Sequence, residues 1–322
     1  KFLEKREIIP ARLLIHLGLP KTATTSIQHN VFASLHDNGK INFLGKFLDY
    51  DYKTGMVTTK NYRGKFIRDV AEGKMAIAEG RSMLEKNLDQ SRLNVFSDEG
   101  IMIAYPGRDN LSLFEKFKNL EALFSGYSVE VVVTLREPVD YLYSLYVQLY
   151  PDFFSKKKAL NSVDKFAGLL LEFPGDVLFE SFHYKKWLPK LDALFPVTIV
   201  EYEQIKNPAS LFHLNWSRLL GMSDADFFDA LNKEKVNAKR KTGKEVEVVR
   251  DFKGIELYFY NLLASKGVVF SAVRAVYKFS GIKKILHYRF GSWSTHKYPS
   301  GELNKKLKKA LEFGSYRYDE CS

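Results

Sequence analysis

The segment "HLGLPKTATTSIQ", residues 16–28, comes close to the pattern of a phosphate-binding loop but departs from it at two positions. In the pattern G-x-x-x-x-G-K-[ST], a second glycine and a lysine stand just before the hydroxyl residue. Here Ala23 stands where that glycine is expected and Thr24 where the lysine is expected, whereas a lysine occurs three residues earlier, at Lys21. The segment predicts a strand, a tight turn at Gly18 and a helix whose first N–H groups face an anion.

Hydroxyl side chains crowd the start of this expected helix. Thr22, Thr24, Thr25 and Ser26 add hydrogen-bond donors there, and Pro20 stiffens the chain that leads in. A nucleoside triphosphate site needs a lysine immediately before the hydroxyl residue that binds magnesium. Because Thr24 replaces that lysine, the loop favours a different phosphate ligand.

Apolar runs bounded by turn residues alternate with amphipathic segments along most of the chain. We predict strands at 12–17, 93–97, 129–135 and 197–202. We predict helices at 24–35, 75–90, 110–125, 138–150, 161–172, 181–195, 208–220 and 244–265. This alternation predicts an α/β fold with a doubly wound, mostly parallel central sheet and flanking helices.

Three parts of the chain differ in composition. Residues 1–265 form the predicted α/β core, and within it 46–74, rich in Lys, Tyr, Gly and Thr, is interpreted as an insertion or lid instead of a sheet element. Residues 266–322 form a basic, helical extension that we expect to pack on the core. Leucines at every fourth position of 303–311 predict an amphipathic helix, which packs on the protein or contacts a membrane surface.

Composition narrows the class of protein. The chain has 322 residues, 45% of them hydrophobic, and 49 Lys and Arg against 38 Asp and Glu give a net charge of +11. That excess either attracts an anionic partner or is solvated surface. The single cysteine, Cys321, excludes intramolecular disulfides and cysteine-based zinc sites. We expect a cytoplasmic protein, or one from a Golgi-type lumen if an N-terminal anchor was removed.

A second motif, "TLREPVDYLYSLYVQLY" at 134–150, joins the end of a predicted strand to a predicted helix. Arg136 ends the strand, Pro138 suits the first helical position, and Ser144 follows Arg136 by eight residues. A guanidinium and a hydroxyl placed in this way bind a second phosphate. Parallel sheets bind ligands at this carboxyl edge, so the two motifs predict two separate phosphate sites at the ends of neighbouring strands.

Taken together, these residues resemble the sulfotransferase family that uses 3′-phosphoadenosine 5′-phosphosulfate (PAPS). "LGLPKTATTSIQ" resembles the family's 5′-phosphosulfate loop and "LREPVDYLYS" its 3′-phosphate motif. "FESFHYKKWLPKLDALFPVTIVEYEQIKNP" is similar to a later segment of the bacterial branch. The resemblance spans about residues 12–250 in the same order and implies a P-loop NTPase-like sulfotransferase fold. Ala23, where the family commonly has glycine, is the departure.

The resemblance also implies roles for individual residues. Lys21 would neutralise the bridging oxygen between phosphate and sulfate, and Tyr202 would approach the adenine. The 5′-phosphate would be held by backbone N–H groups of Thr22, Ala23, Thr24, Thr25 and Ser26. The 3′-phosphate would be held by Arg136 and Ser144. A later cofactor loop would include Arg240, Lys241 and Gly243.

Transfer to an acceptor also needs a base, and "SDE" at 97–99 follows a predicted strand at the same edge of the sheet. We predict Glu99 as the base and Asp98 as the second choice. The competing interpretation is that Glu99 is an ion-pair partner near a helix start. His16, His29 and His183 are weaker candidates.

The sequence therefore predicts an enzyme that transfers a sulfuryl group from PAPS to an acceptor hydroxyl, on a carbohydrate or glycolipid, without a metal and without nucleic acid. Two other classes stay open. One is a P-loop-type kinase, which would need a lysine at position 24. The other is a non-enzymatic protein that binds polyanions or a membrane surface through its basic C-terminal region.

Overall fold

The computed structural model describes residues 11–51, 56–155, 157–233, 246–251 and 292–311. Contacts divide the chain into two units, Lys1–Tyr141 with Gly175–Ala238 and Leu142–Pro174 with Lys239–Ser322. The predicted boundary between residues 265 and 266 lies outside the described residues.

A five-stranded parallel sheet forms the centre of the first unit, in the order β2-β5-β1-β6-β7. Its strands are β1 Arg12–His16, β2 Ile41–Phe43, β5 Leu93–Ser97, β6 Ser128–Leu135 and β7 Val197–Glu201. All four predicted strands are present, and the strand that was not predicted, β2, lies at one edge of the sheet. Since β1 lies between β5 and β6, its carboxyl end is the point where the strand order changes direction, which is where such sheets bind ligands.

The helices of the first unit mostly match the predicted ones. Leaving the first loop, the chain forms α1 Thr24–Ser26, a π-helical segment Ile27–Ala33 and α2 Ser34–Asp37. The others are α3 Lys65–Ala71, α4 Ile77–Asn87, α5 Leu113–Phe124, α8 Tyr184–Asp192, α9 Leu211–Leu220 and α10 Asp224–Asn232. Of these, α3 and α10 were not predicted. Helix α6 Pro138–Leu149 begins in the first unit and ends in the second.

The segment predicted to be an insertion or lid without strands contains a hairpin. Strands β3 Lys46–Asp51 and β4 Met56–Tyr62 pair antiparallel in a separate two-stranded sheet. The expectation that the segment has no sheet structure was wrong, because cross-strand pairing within the segment satisfies its backbone groups without the central sheet, and its role as an insertion or lid stays a prediction.

Both faces of the central sheet are covered. Leu13, Leu14 and Ile15 of β1 are consecutive and all buried, which requires apolar cover on each side of the strand. One face carries a cluster in which Phe32, Phe212 and Trp216 pack with residues of all five strands. This arrangement confirms the predicted doubly wound α/β fold.

The second unit includes α7 Val163–Glu172, the antiparallel pair β8 Val246–Asp251 and β9 Ser292–Lys297, and α11 Gly301–Leu311. Strand β8 shows that the predicted helix 244–265 is wrong at its start, and residues 252–265 lie outside the described part. Helix α11 contacts α7, and Leu307 and Leu311 are buried. Within the described ranges, every helix is too short or too polar to cross a bilayer.

Candidate active site

The loop after β1 turns through left-handed backbone. Beyond His16 the chain stays beside β6, since the Leu17 N–H donates to the Val132 carbonyl at 2.9 Å. Lys21 and Ala23 then have φ of 67° and 62°, and among the described residues they are the non-glycine positions with positive φ. This conformation costs a residue with a Cβ about 1 to 2 kcal/mol. Ala23 thus occupies the position that suits glycine.

Side chains from three positions hold this turn. The hydroxyls of Thr22 and Thr24 both donate to the Leu19 carbonyl, at 2.5 Å and 3.4 Å. Arg136 Nη1 donates to the Lys21 carbonyl at 3.0 Å. The hydroxyls of Thr22 and Thr24, which we expected to face a ligand, therefore stabilise the turn. The backbone N–H groups of these two residues are still predicted to donate to the 5′-phosphate.

The helix that follows the turn has an open N-terminus. It begins at Thr24, with Ala23 at the N-cap position and no side-chain cap. Thr25 and Ser26 are half-buried in its first turn. The first N–H groups of a helix lack partners within the helix and, together with its dipole, attract an anion. The local geometry fits a phosphate oxygen here.

Gly18 lies directly against the buried imidazole of His16. A Cβ at Gly18 would approach His16 Nε2 to 2.5 Å, so a glycine is required. His16 Nδ1 is 2.9 Å from Ser97 Oγ, and His16 Nε2 is 3.3 Å from Thr134 Oγ1. Burial lowers the pKa of His16 to about 3, so the ring is neutral. His16 is therefore a core residue that links β1, β5 and β6.

Arg136 connects the two predicted motifs. It follows β6, its guanidinium carbon lies 4.9 Å from the centre of the Tyr202 ring, and its Nη1 reaches the Lys21 carbonyl. The Tyr184 hydroxyl donates to the Arg136 carbonyl at 2.7 Å and fixes its backbone. Arg136 Nε is buried without a hydrogen-bond partner among the described residues. Lys21, Arg136 and Tyr202, predicted from separate segments, are thus brought together.

For four other predicted residues the structure does not show a contact with the candidate site. Ser144 is buried in α6, which begins at Pro138 as expected, and it belongs to the second unit. Its part in binding a phosphate stays a prediction. The remaining three, Arg240, Lys241 and Gly243, lie outside the described residues.

Asp98, the second choice for the base, is fully buried and its carboxylate is surrounded by donors. Lys46 Nζ at 2.6 Å and the Gly100 N–H at 2.8 Å contact Oδ1. The Tyr62 hydroxyl and Arg68 Nη1, the latter at 3.3 Å, contact Oδ2. Burial alone would raise the pKa of Asp98, but Lys46 and Arg68 outweigh it and hold the pKa below its usual value. Asp98 therefore joins the hairpin and α3 to the sheet edge as a buried anion at neutral pH.

Glu99 differs from its neighbour because its side chain is 27% exposed. Its Oε2 accepts a hydrogen bond from Gln28 Nε2 at 3.2 Å, and its Oε1 lies 3.7 Å from Lys46 Nζ. Burial disfavours the charged form of Lys46, but Glu99 and Asp98 together raise its pKa, so this lysine is a cation. Of the two adjacent carboxylates, Glu99 is the one that a ligand can reach.

The sequence did not single out Gln28 or Lys46, which hold Glu99 from two sides. Gln28 ends the phosphate-loop segment without a role there, Lys46 lies outside both motifs, and their contacts with Glu99 span 71 and 53 residues of the chain. Among the histidines, His29 is half-buried in the π-helical segment, and burial lowers the pKa of His183 to about 4. A buried neutral histidine such as His183 is poorly placed to take a proton from an acceptor that binds from solvent.

Comparisons with known proteins were made for sequence and for structure. No protein-family model and no curated protein sequence matches the chain. The crystal structure of a sulfotransferase from Alicyclobacillus acidocaldarius aligns with 82% of this chain and 93% of its own, at TM-score 0.43 and 12% identity. A mouse sulfotransferase complexed with PAP aligns with 72% of this chain and 70% of its own, at TM-score 0.38 and 15% identity. The sulfotransferase domain from the curacin biosynthetic pathway aligns with 94% of this chain and 98% of its own, at TM-score 0.33 and 14% identity.

Replacing Ala23 by glycine tests the strain in the loop. Glycine removes the left-handed penalty but makes the unfolded chain more flexible, so Ala23→Gly should raise the free energy of unfolding by up to about 1 kcal/mol. Urea denaturation measures the change. The matched control is Ala33→Gly, since Ala33 is right-handed at φ −62° in the same helical stretch and should lose about 0.5 to 1 kcal/mol. Equal losses in both variants would contradict the left-handed loop.

Replacing Asp98 by asparagine tests its role as a buried anion. Asp98→Asn leaves Lys46 and Arg68 without their shared counter-ion, so unfolding should become easier by about 3 to 5 kcal/mol at pH 7. Because the folded-state pKa of Asp98 is lowered, its contribution is complete above the ordinary value near 4 and is lost as pH falls through the folded value.

The measurement is denaturant unfolding of both proteins between pH 3 and pH 7. The difference between wild type and Asp98→Asn should shrink at the acid end, whereas the exposed Asp37→Asn should change stability by less than about 0.5 kcal/mol. A difference between wild type and Asp98→Asn that is constant over the pH range would show that Asp98 is not held as an anion.

Proposed function

We propose that this protein transfers the sulfuryl group of PAPS to the hydroxyl of an acceptor. The observation that carries the proposal is the meeting of Lys21, Arg136 and Tyr202 beside the uncapped helix that begins at Thr24. A guanidinium and an aromatic ring beside a helix N-terminus are groups that a phosphorylated adenine nucleotide needs, and we propose the ammonium group of Lys21 as a further cation there.

The local chemistry fits the two ends of such a nucleotide. The open N–H groups of residues 22–26 and the strained turn suit the 5′-phosphate, because a strained backbone at a ligand loop is usually kept for binding. Arg136 has a buried Nε without a partner among the described residues, which suits an additional acceptor oxygen. Tyr202 supplies the ring for the adenine, and Ser144 stays the proposed second donor to the 3′-phosphate.

In the proposed reaction a bond forms between the acceptor oxygen and sulfur while the bond from sulfur to the bridging oxygen breaks. Glu99 takes the acceptor proton, and Lys21 neutralises the charge that remains on the departing phosphate. Transfer of this kind depends mainly on alignment and charge, so rigid support of the loop and of Glu99 matters more than an activated nucleophile. The proposed reaction uses no metal ion.

For the acceptor we propose a carbohydrate or glycolipid. The net charge of +11 favours an anionic partner, and 25 Phe and 18 Tyr provide rings that can stack on sugar faces.

Binding of adenosine 3′,5′-bisphosphate, the nucleotide product, tests the donor. Calorimetry in EDTA should show binding that Arg136→Ala weakens by about 10- to 100-fold, the loss expected for charge-assisted hydrogen bonds. Arg12→Ala is the matched control, because Arg12 is exposed at the opposite end of β1 and should not affect binding. ATP binding that requires magnesium, together with no binding of the bisphosphate, would favour a kinase and contradict the proposal.

Transfer itself is measured with a donor that carries radiolabelled sulfate and a panel of glycans. Lys21→Ala should abolish transfer. Glu99→Gln should leave bisphosphate binding near normal and slow transfer by about 10²- to 10⁴-fold, the usual contribution of a general base. Normal transfer by Glu99→Gln would mean that another group is the base.

A further inference from the structure

Gln28 is a buried amide one helical turn beyond the start of the candidate phosphate site. It lies in the π-helical segment Ile27–Ala33 and is 1% exposed. Its Nε2 contacts three oxygen atoms: the Ser97 carbonyl at 3.2 Å, Ser97 Oγ at 3.0 Å and Glu99 Oε2 at 3.2 Å. A glutamine is seldom buried, so its retention here requires partners of this kind.

The chemistry of these partners fixes the orientation of the amide. The Ser97 carbonyl only accepts hydrogen bonds, so the nitrogen of Gln28 must face it, and the same nitrogen then donates to Glu99 Oε2. Ser97 Oγ then accepts from Gln28 and donates its own proton to His16 Nδ1, 2.9 Å away. That leaves the proton of the neutral ring on His16 Nε2, which donates to Thr134 Oγ1 at 3.3 Å.

These bonds form one chain that diverges at Gln28, which donates to Glu99 on one side and, through Ser97 and His16, toward Thr134 near the end of β6 on the other. Each member is buried except Glu99, so rotating the Gln28 amide would remove the donor from the Ser97 carbonyl, Ser97 Oγ and Glu99. Glu99 is consequently held from the helix side by Gln28, while Lys46 lies 3.7 Å from its other oxygen.

We propose that Gln28 is a positioning residue for Glu99, an inference that rests on the proposed function. The helix whose N-terminus faces the phosphate carries Gln28 in its next turn, and Gln28 holds the carboxylate that accepts the proton. The proposed donor site and base are thereby linked through one helical stretch, while Lys46 of the hairpin lies on the other side of Glu99. Gln28 supplies no proton and touches no reacting atom.

The test compares Gln28→Met with wild type. Methionine has nearly the shape of glutamine but no donor, so the fold should persist while Glu99 loses its support. Asn30→Leu is the matched control: it removes another buried amide from the same helix, one that donates to the Leu231 carbonyl at 2.9 Å, far in sequence from Glu99. Each variant is measured for bisphosphate affinity by calorimetry and for release of inorganic sulfate from PAPS.

Water serves as the acceptor in the release assay, so the natural acceptor need not be known. The glycans of the transfer assay serve as a second set of acceptors. Water forms a bond to sulfur, the bond to the bridging oxygen breaks, and the proton of water passes to Glu99, giving sulfate and the bisphosphate. Gln28→Met should release sulfate about 10- to 100-fold more slowly with bisphosphate affinity within about twofold of wild type. Asn30→Leu should keep the wild-type rate.

The pH dependence of the rate separates positioning from packing. A carboxylate that has lost a hydrogen-bond donor is protonated more easily, so the acid limb of the Gln28→Met profile should move to higher pH. The other groups that face Glu99, namely Lys46, Tyr62, Asp98 and Tyr105, are unchanged in this variant. Should Gln28→Met fail to fold, Gln28→Asn keeps a buried amide that is one methylene too short for Glu99 and should show the same slower rate and shifted limb.

Two results would overturn the role of Gln28 while the proposed function stands. One is a wild-type rate and profile in Gln28→Met although Glu99→Gln is slow. The other is an equal loss of rate and affinity in Gln28→Met and Asn30→Leu, which would indicate packing alone. A wild-type chain that binds no bisphosphate, or that releases no sulfate to water or to any glycan, would overturn the proposed function and this role together.

Discussion

The left-handed backbone at Lys21 and Ala23 is the constraint on which the candidate site depends. Two residues with side chains in this conformation cost about 1 to 2 kcal/mol each, which the surrounding contacts must offset. Hydroxyls from inside the loop converge on the Leu19 carbonyl, and Arg136 reaches in from β6 to the Lys21 carbonyl. The turn that opens the helix N-terminus is therefore tied to the end of β6, so the first phosphate loop and Arg136 of the second motif are held together.

A second constraint on the candidate site comes from its two neighbouring acidic residues. Asp98 and Glu99 are adjacent in sequence, but the backbone directs one into the protein and the other toward solvent. The buried one binds Lys46, Tyr62 and Arg68, which attaches the β3–β4 hairpin to the edge of the sheet. The exposed one is then supported by groups that are already fixed. The site thus combines a buried structural anion with a partly exposed carboxylate that a ligand can reach.

Much of this arrangement follows from local sequence, and the rest depends on distant contacts. Four strands, the loop after β1 and the helix start at Pro138 were predictable, because apolar runs, glycine and proline act within a few residues. Strand β2 has three residues, too few for a pattern, and β8 pairs with β9 more than 40 residues away. The choice between Asp98 and Glu99, and the importance of Gln28, depend on partners from β3, α3 and the first helix that no local signal reveals.

A crystal structure of the chain with adenosine 3′,5′-bisphosphate tests the central claim, that the left-handed loop and Arg136 form a single nucleotide site. We expect the 5′-phosphate on the N–H groups of residues 22–26, with Lys21 and Ala23 still at positive φ. The adenine should lie beside Tyr202, and Arg136 should contact the 3′-phosphate. A nucleotide bound elsewhere, or a loop that relaxes to negative φ when the nucleotide binds, would contradict it.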